Sequence, residues 1–168
     1  MIGAESTGKT TLCQSLATHF EAALVPEYAR VYFQNADIHN YQIKDLELIA
    51  QKQFDLENEA VNKTHSVVFC DTNIQTIKIW AELEFNFCPN TILQLLQQSK
   101  YDFFLITAND LPWQKDDLRQ NKFSRDLIFQ LNLSEVQKTN TAFDIIEGKN
   151  SNRLSAAIHA IKKHFKFN

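Results

Sequence analysis

Met1-Ile2-Gly3-Ala4-Glu5-Ser6-Thr7-Gly8-Lys9-Thr10-Thr11-Leu12 opens the chain and decides its fold. Gly3, Gly8, Lys9 and Thr10 meet the spacing G-x-x-x-x-G-K-T, and Leu12, Leu16 and Phe20 follow at helical spacing directly behind it. Glycines at these positions let backbone N–H groups turn inward around phosphates, and the N-terminus of the following helix adds its partial positive charge. The chain has only 3 glycines, and this octapeptide holds two of them, so a chance turn is a poor explanation. The stretch predicts a Mg²⁺-ATP site whose cofactor-binding residues are Gly3, Ala4, Glu5, Ser6, Thr7, Gly8, Lys9, Thr10 and Thr11. In it Lys9 reaches the β- and γ-phosphates and the Thr10 hydroxyl ligates the metal.

Outward from the loop, apolar runs alternate with helical patterns. Ser66 to Cys70, Asp102 to Thr107 and Ala142 to Ile146 read as buried strands, and Leu24-Val25 as a shorter one. Leu46, Ala50, Phe54 and Val61 have helical spacing, as do Ile74, Ile77, Trp80 and Leu83, and Leu154, Ala157, Ile158, Ile161 and Phe165. The order predicts an α/β fold of the P-loop NTPase class: a parallel five-stranded sheet with helices on both faces. Only Met1 and Ile2 precede Gly3, so the strand leading into the loop is expected to be cut short. Restoring about five apolar residues ahead of it should raise stability and activity, because a central strand pairs on both sides.

A length of 168 residues, 44% hydrophobic and 22% charged, suits one folded domain spanning residues 1–168. A net charge of −3 offers no basic field for a nucleic-acid backbone. Cys13, Cys70 and Cys88 show no metal-ligand spacing and read as thiols of a reducing cytoplasm. No apolar run nears the ~20 residues that span a bilayer, so neither a membrane nor a nucleic acid is an expected partner.

A GTPase would need a DxxG after its second acidic strand, but the only glycine outside the loop is Gly148. A small-molecule kinase is left as the leading class. Asp71 closes a strand at the edge where open α/β sheets bind ligands. There it could hold Mg²⁺ through water, take a proton from an attacking hydroxyl, or simply cap the next helix. Glu27-Tyr28-Ala29-Arg30 follows Leu24-Val25 on the same edge, where a carboxylate, a ring and a guanidinium could receive an acceptor. An exposed helix start with an ordinary Glu/Arg pair is the plainer alternative. After Thr107 come Leu111-Pro112-Trp113, Asp116-Asp117-Leu118-Arg119 and Arg125. This is a candidate lid at about residues 110–126, with Arg119 and Arg125 as catalytic cations or as part of a solvated helix.

Gly3 to Leu12, Pro26 to Arg30, Asp71-Thr72-Asn73 and Leu111-Pro112-Trp113 through Leu118-Arg119 together resemble the NadR-type ribosylnicotinamide kinase domain, a P-loop nucleoside kinase related to the AAA-like ATPases. The resemblance implies transfer of the ATP γ-phosphate to the 5′-hydroxyl of nicotinamide riboside, giving nicotinamide mononucleotide for NAD salvage. It further implies that Asp71 serves the transfer and that Glu27, Tyr28, Arg30, Asp71 and Asn73 stand on the acceptor side, while Lys9 of the loop and Arg119 and Arg125 of the candidate lid complete the candidate catalytic set. Asp117 departs from the Gly common in relatives, and Gly148 to Arg153 only loosely matches the family's last nucleotide-contacting loop. Two alternatives stand beside this reading: a nucleotide-dependent regulator with little turnover, and a P-loop kinase for another small hydroxyl substrate.

Overall fold

The computed structural model describes residues 1–64, 67–114 and 125–165. In chain order these form β1 (Ile2–Gly3), α1 (Lys9–His19), β2 (Ala23–Val25), α2 (Tyr28–Tyr32), α3 (Ile43–Lys63) and β3 (Val68–Cys70). They continue as α4 (Ile74–Phe85), α5 (Asn90–Gln98), β4 (Phe104–Thr107), α6 (Arg125–Gln137), β5 (Phe143–Ile146) and α7 (Asn150–Phe165). All ladders are parallel, β1 with β4, β4 with β5, and β2 with β3.

Two hydrogen bonds join the three-stranded β1-β4-β5 group to the two-stranded β2-β3 group. The Met1 amino group donates to the Cys70 carbonyl at 2.7 Å, and the Thr72 amide donates to the Met1 carbonyl at 3.2 Å. The spatial order is therefore β2-β3-β1-β4-β5, with the two-residue strand in the middle. As expected, the described strands number five and the one entering the phosphate loop is short.

Side-chain alternation sends the strands' apolar residues to opposite faces. Phe69, Leu105 and Ile146 pack with Leu12 and Leu16 of α1 and Ala157 and Ile161 of α7. Ile2, Phe104 and Ile106 pack with Val136 of α6 on the other face. A further cluster joins α2 through α5 around Leu46, Ile49, Ile74, Ile77 and Ile92. Trp80 packs against it as its spacing suggested, and donates its indole N–H to the Tyr41 hydroxyl at 2.7 Å.

Three expected core positions differ. Leu83, Val61 and Phe165 are exposed. Helix α4 touches α3, α5 and α6, and buries Gln75, Thr76, Ile79 and Ala81 rather than a single stripe ending at Leu83. The apolar stripe of α3 joins the core as far as Phe54, and Val61 lies beyond it. Helix α5 went unread in the sequence although it presents Ile92, Leu95 and Leu96 to the α3–α4 cluster.

Gly3 is where the central strand meets its neighbour most closely. A Cβ there would lie 2.2 Å from Thr107 Oγ1 and 2.9 Å from the Thr107 carbonyl oxygen, and the residue has φ +146°. Gly3→Ala is expected to destabilise the fold by at least about 2 kcal/mol, from overpacking together with backbone strain. Urea unfolding measures this; an unchanged midpoint would show that β1 can move away from β4.

Candidate active site

The phosphate loop is built by strand, turn and helix in immediate succession. Ser6 (φ 54°) and Gly8 (φ 75°) take left-handed backbone conformations, and Gly8 is the residue from which α1 starts. Such turns gather successive N–H groups around one concavity, the geometry that binds anions. At Gly8 a Cβ would come within 3.2 Å of Leu111 Cδ1, so both the left-handed turn and the close neighbour favour glycine.

Polar side chains behind the loop hold it in shape. Thr7 is fully buried and donates to the Ala4 carbonyl at 2.8 Å, and its hydroxyl shares a hydrogen bond with Thr107 Oγ1 at 2.6 Å. Lys9 Nζ also donates to the Ala4 carbonyl, at 2.6 Å. The Ser6 hydroxyl donates to the Gln114 carbonyl at 2.7 Å.

The strongest brace comes from a residue with no assigned site role in the sequence. Arg153 of α7 is only 4% exposed and reaches three separate segments. Its Nη2 donates to the Thr7 carbonyl at 3.1 Å and the Ala108 carbonyl at 3.0 Å. Its Nη1 donates to Asp110 Oδ1 at 2.7 Å and the Gly148 carbonyl at 2.6 Å. Asp110 Oδ2 in turn accepts the Gly148 amide at 2.6 Å. Burial works to raise the Asp110 carboxyl, yet hydrogen bonds from Arg153 and the Gly148 amide outweigh it and hold the group below its ordinary value. The sequence signal was indirect: Asp110 follows a strand exit and Arg153 a Gly/Asn turn, and only the fold brings them together.

A cleft of about 800 Å³ runs along the loop, lined by Glu5 through Leu12 and by Arg30, Leu111, Pro112, Gln114, Asn150, Ser151 and Arg153. Every predicted phosphate-side residue from Glu5 to Thr11 borders it; Gly3 and Ala4 lie behind, in the strand and its exit.

Arg30 is the only one of the Glu27-Tyr28-Ala29-Arg30 group to border the cleft, and its Nε pairs with Glu27 Oε2 at 3.0 Å. Glu27 itself is buried. Asp71 is likewise buried, and its backbone amide bonds to the Val25 carbonyl at 2.9 Å, so the exits of β2 and β3 lie side by side. Asp71 Oδ1 has no hydrogen-bond partner among the described residues. A buried carboxylate oxygen left open in this way is suited to a cation or a proton donor, and the same sheet edge offers the Thr10 hydroxyl at the cleft. The helix cap of α4 is not Asp71. Asn73 fills that role, accepting from the Thr76 amide at 3.1 Å, while its own amide donates to Gln75 at 2.6 Å. Both ends of Asn73 are thus engaged inside the protein, which favours a role in shaping the wall over direct contact with a nucleoside.

Of the two cations expected in a lid, Arg119 falls outside the described residues. Arg125 heads α6 and is buried, with Nη2 donating to the Leu111 carbonyl at 3.0 Å. It stands behind the cleft wall rather than in it. Nearby, Asn109 donates to Asp126 at 2.9 Å, so both ends of the 110–126 segment are fastened together.

A family model described as an AAA domain matches residues 1–153. The chain belongs to this AAA domain family. Among curated proteins, the trifunctional NAD biosynthesis/regulator protein NadR of Salmonella typhimurium is 29% identical over 144 residues, covering 83% of this chain and 35% of the relative. NadR of Escherichia coli is 28% identical over 122 residues, covering 71% and 30%. Crystal structures of NadR protein share the fold: one in complex with NR at TM-score 0.84 and 21% identity, and one with NAD and AMP-PNP at 0.77 and 23%. Each covers 99% of this chain, which spans about half of the solved chains and about a third of the curated relatives. The NadR-type resemblance read from the motifs holds. This AAA domain keeps the parallel sheet and phosphate loop, and no helix among its described residues is long and apolar enough to cross a membrane.

Lysine at position 153 would keep the charge but not the planar fork that serves four acceptors. Arg153→Lys is expected to weaken ATP binding roughly 10-fold or more, because the loop amides lose their fixed spacing. Titration calorimetry on the folded variant reads this directly; an unchanged Kd would mean that the loop holds its shape without the brace.

Proposed function

We propose that this chain is an ATP-dependent nucleoside kinase that phosphorylates the 5′-hydroxyl of nicotinamide riboside, yielding nicotinamide mononucleotide and ADP. The observation that carries the reading is the meeting of two features at one sheet edge. A braced phosphate loop borders a cleft that reaches Arg30, and beside it stands a buried wall containing Glu27 and an Asp71 oxygen with no partner among the described residues. Support comes from the NadR relatives, whose name includes NAD biosynthesis, and from NadR structures holding NR in one case and NAD with AMP-PNP in another.

In this reading the loop amides and Lys9 hold the phosphates of ATP. The acceptor's 5′-oxygen forms a bond to the γ-phosphorus while the bond to the β–γ bridging oxygen breaks, and ADP leaves. Asp71 receives the hydroxyl proton or holds the metal through water. Thr10 and Asp71 are the residues that would hold Mg²⁺, which when bound neutralises charge on the transferring phosphate. Arg30, fixed by Glu27, lies where it can meet the acceptor or the phosphate it receives, with Tyr28 beside it. Arg119 keeps its assignment as the lid cation. Arg125 is better assigned to fastening the lid at Leu111, given its place behind the cleft wall. Cytoplasmic location follows from the reaction proposed.

A panel of nucleosides offered with Mg²⁺-ATP tests the assignment. ADP release should rise with nicotinamide riboside well above all other nucleosides. Asp71→Asn should lower kcat by roughly 10²-fold or more with little change in the KM for ATP, and partial recovery at high Mg²⁺ would assign Asp71 to the metal rather than the proton. ATP binding with no nucleoside-dependent turnover would replace the kinase by a nucleotide-dependent regulator, and preference for another hydroxyl compound would replace the substrate.

A further inference from the structure

Helix α3 buries two polar side chains, Gln53 and Glu57, on a face otherwise made of Leu46, Ile49 and Ala50. Gln53 is 1% exposed. Leucine or methionine would fill such positions without the desolvation cost of an amide and a carboxylate, so what these groups hold matters. Gln53 Oε1 accepts the Tyr28 amide at 2.9 Å, and Gln53 Nε2 donates to Glu57 Oε1 at 3.1 Å. Glu57 Oε2 accepts the Tyr101 hydroxyl at 2.7 Å, and that hydroxyl accepts the Ile74 amide at 3.4 Å.

The two ends of this chain are the first residues of two helices. Tyr28 opens α2 directly after Glu27, and Ile74 opens α4 directly after Asp71-Thr72-Asn73. First-turn amides have no partner within their own helix, and here both are satisfied through one relay across α3. The backbone just before Ile74 is also unusual, Thr72 having φ 91°, a conformation that persists only where its surroundings enforce it. Burial raises the Glu57 carboxyl, opposed by its bonds from Tyr101 and Gln53.

We propose that Gln53 and Glu57, with Tyr101, are positioning residues that set the Glu27–Arg30 segment against Asp71 and so fix the seat of the acceptor. None of the three borders the phosphate-loop cleft, so their effect should fall on the acceptor and spare ATP. The inference rests on the kinase reading for its kinetic consequence, while the mechanical link between the two helix starts stands apart from it.

The test uses the full chain in two arms. In steady-state kinetics Gln53→Leu is expected to raise the KM for nicotinamide riboside roughly 10- to 100-fold with the KM for ATP nearly unchanged. Glu57→Gln, which keeps the shape but only one of the two acceptors that Gln53 and Tyr101 donate to, should raise the KM for nicotinamide riboside less than Glu57→Leu does. Tyr101→Phe, lacking only the hydroxyl, gives the same reading if Gln53→Leu fails to fold. In amide exchange by NMR, Gln53→Leu should accelerate Tyr28 and Ile74 together. A lowered melting temperature with unchanged kinetic constants per folded molecule would overturn the proposal, as would faster exchange at Tyr28 alone. If the wild-type chain phosphorylates no nucleoside, the kinase reading fails and the exchange arm alone decides the link.

Discussion

The guanidinium of Arg153 is the point on which the site depends. An anion-binding loop works only if its amides converge, and convergent amides repel one another until a phosphate arrives. The fold opposes that repulsion from behind, with a buried cation bonded to the Thr7 carbonyl, the Ala108 carbonyl, the Gly148 carbonyl and Asp110. The loop, the exit of β4 and the β5–α7 turn are therefore fixed as one rigid edge. Replacing any one acceptor would leave part of a buried charge unpaired, which costs more than the bond itself contributes.

The same economy governs the other half of the edge. Apolar clusters hold the helices on the sheet, but they cannot set where Glu27, Arg30 and Asp71 stand as closely as the proposed phosphoryl transfer needs. Directional bonds do that. Asn73 caps α4, Glu27 orients Arg30, and the Gln53–Glu57–Tyr101 relay ties the starts of α2 and α4. Each uses a buried polar group whose desolvation is offset only while its partner is present.

The sequence made the frame legible because glycine spacing and apolar periodicity are local signals. Gly3, Gly8, Lys9 and Thr10 name the loop, and the strand runs at Val68–Cys70, Phe104–Thr107 and Phe143–Ile146 stand where apolar β-rich segments placed them. What escaped is non-local. Arg153 and Asp110 are 43 positions apart, and Tyr28 and Gln53 are 25 apart, so no window contains both partners. The exposed Leu83 differs from expectation because α3, α5 and α6 decide which face of α4 is buried, and the buried Arg125 because the Leu111 carbonyl receives its guanidinium. Helix α5 lacks glycine or charge punctuation, and its short apolar spacing was not enough to read it without the α3–α4 groove that receives it.

In the proposed reaction the braced loop and the Glu27–Asp71 wall serve one displacement at a nucleoside 5′-oxygen. Mass spectrometry of the product formed from γ-¹⁸O-labelled ATP and nicotinamide riboside tests it most directly, with the 5′-deoxy nucleoside run in parallel. A 5′-kinase gives a nucleotide one labelled phosphoryl group heavier than the substrate, and no product from the 5′-deoxy analogue. Labelled inorganic phosphate with the riboside unchanged, or phosphorylation of the 5′-deoxy analogue, would contradict it.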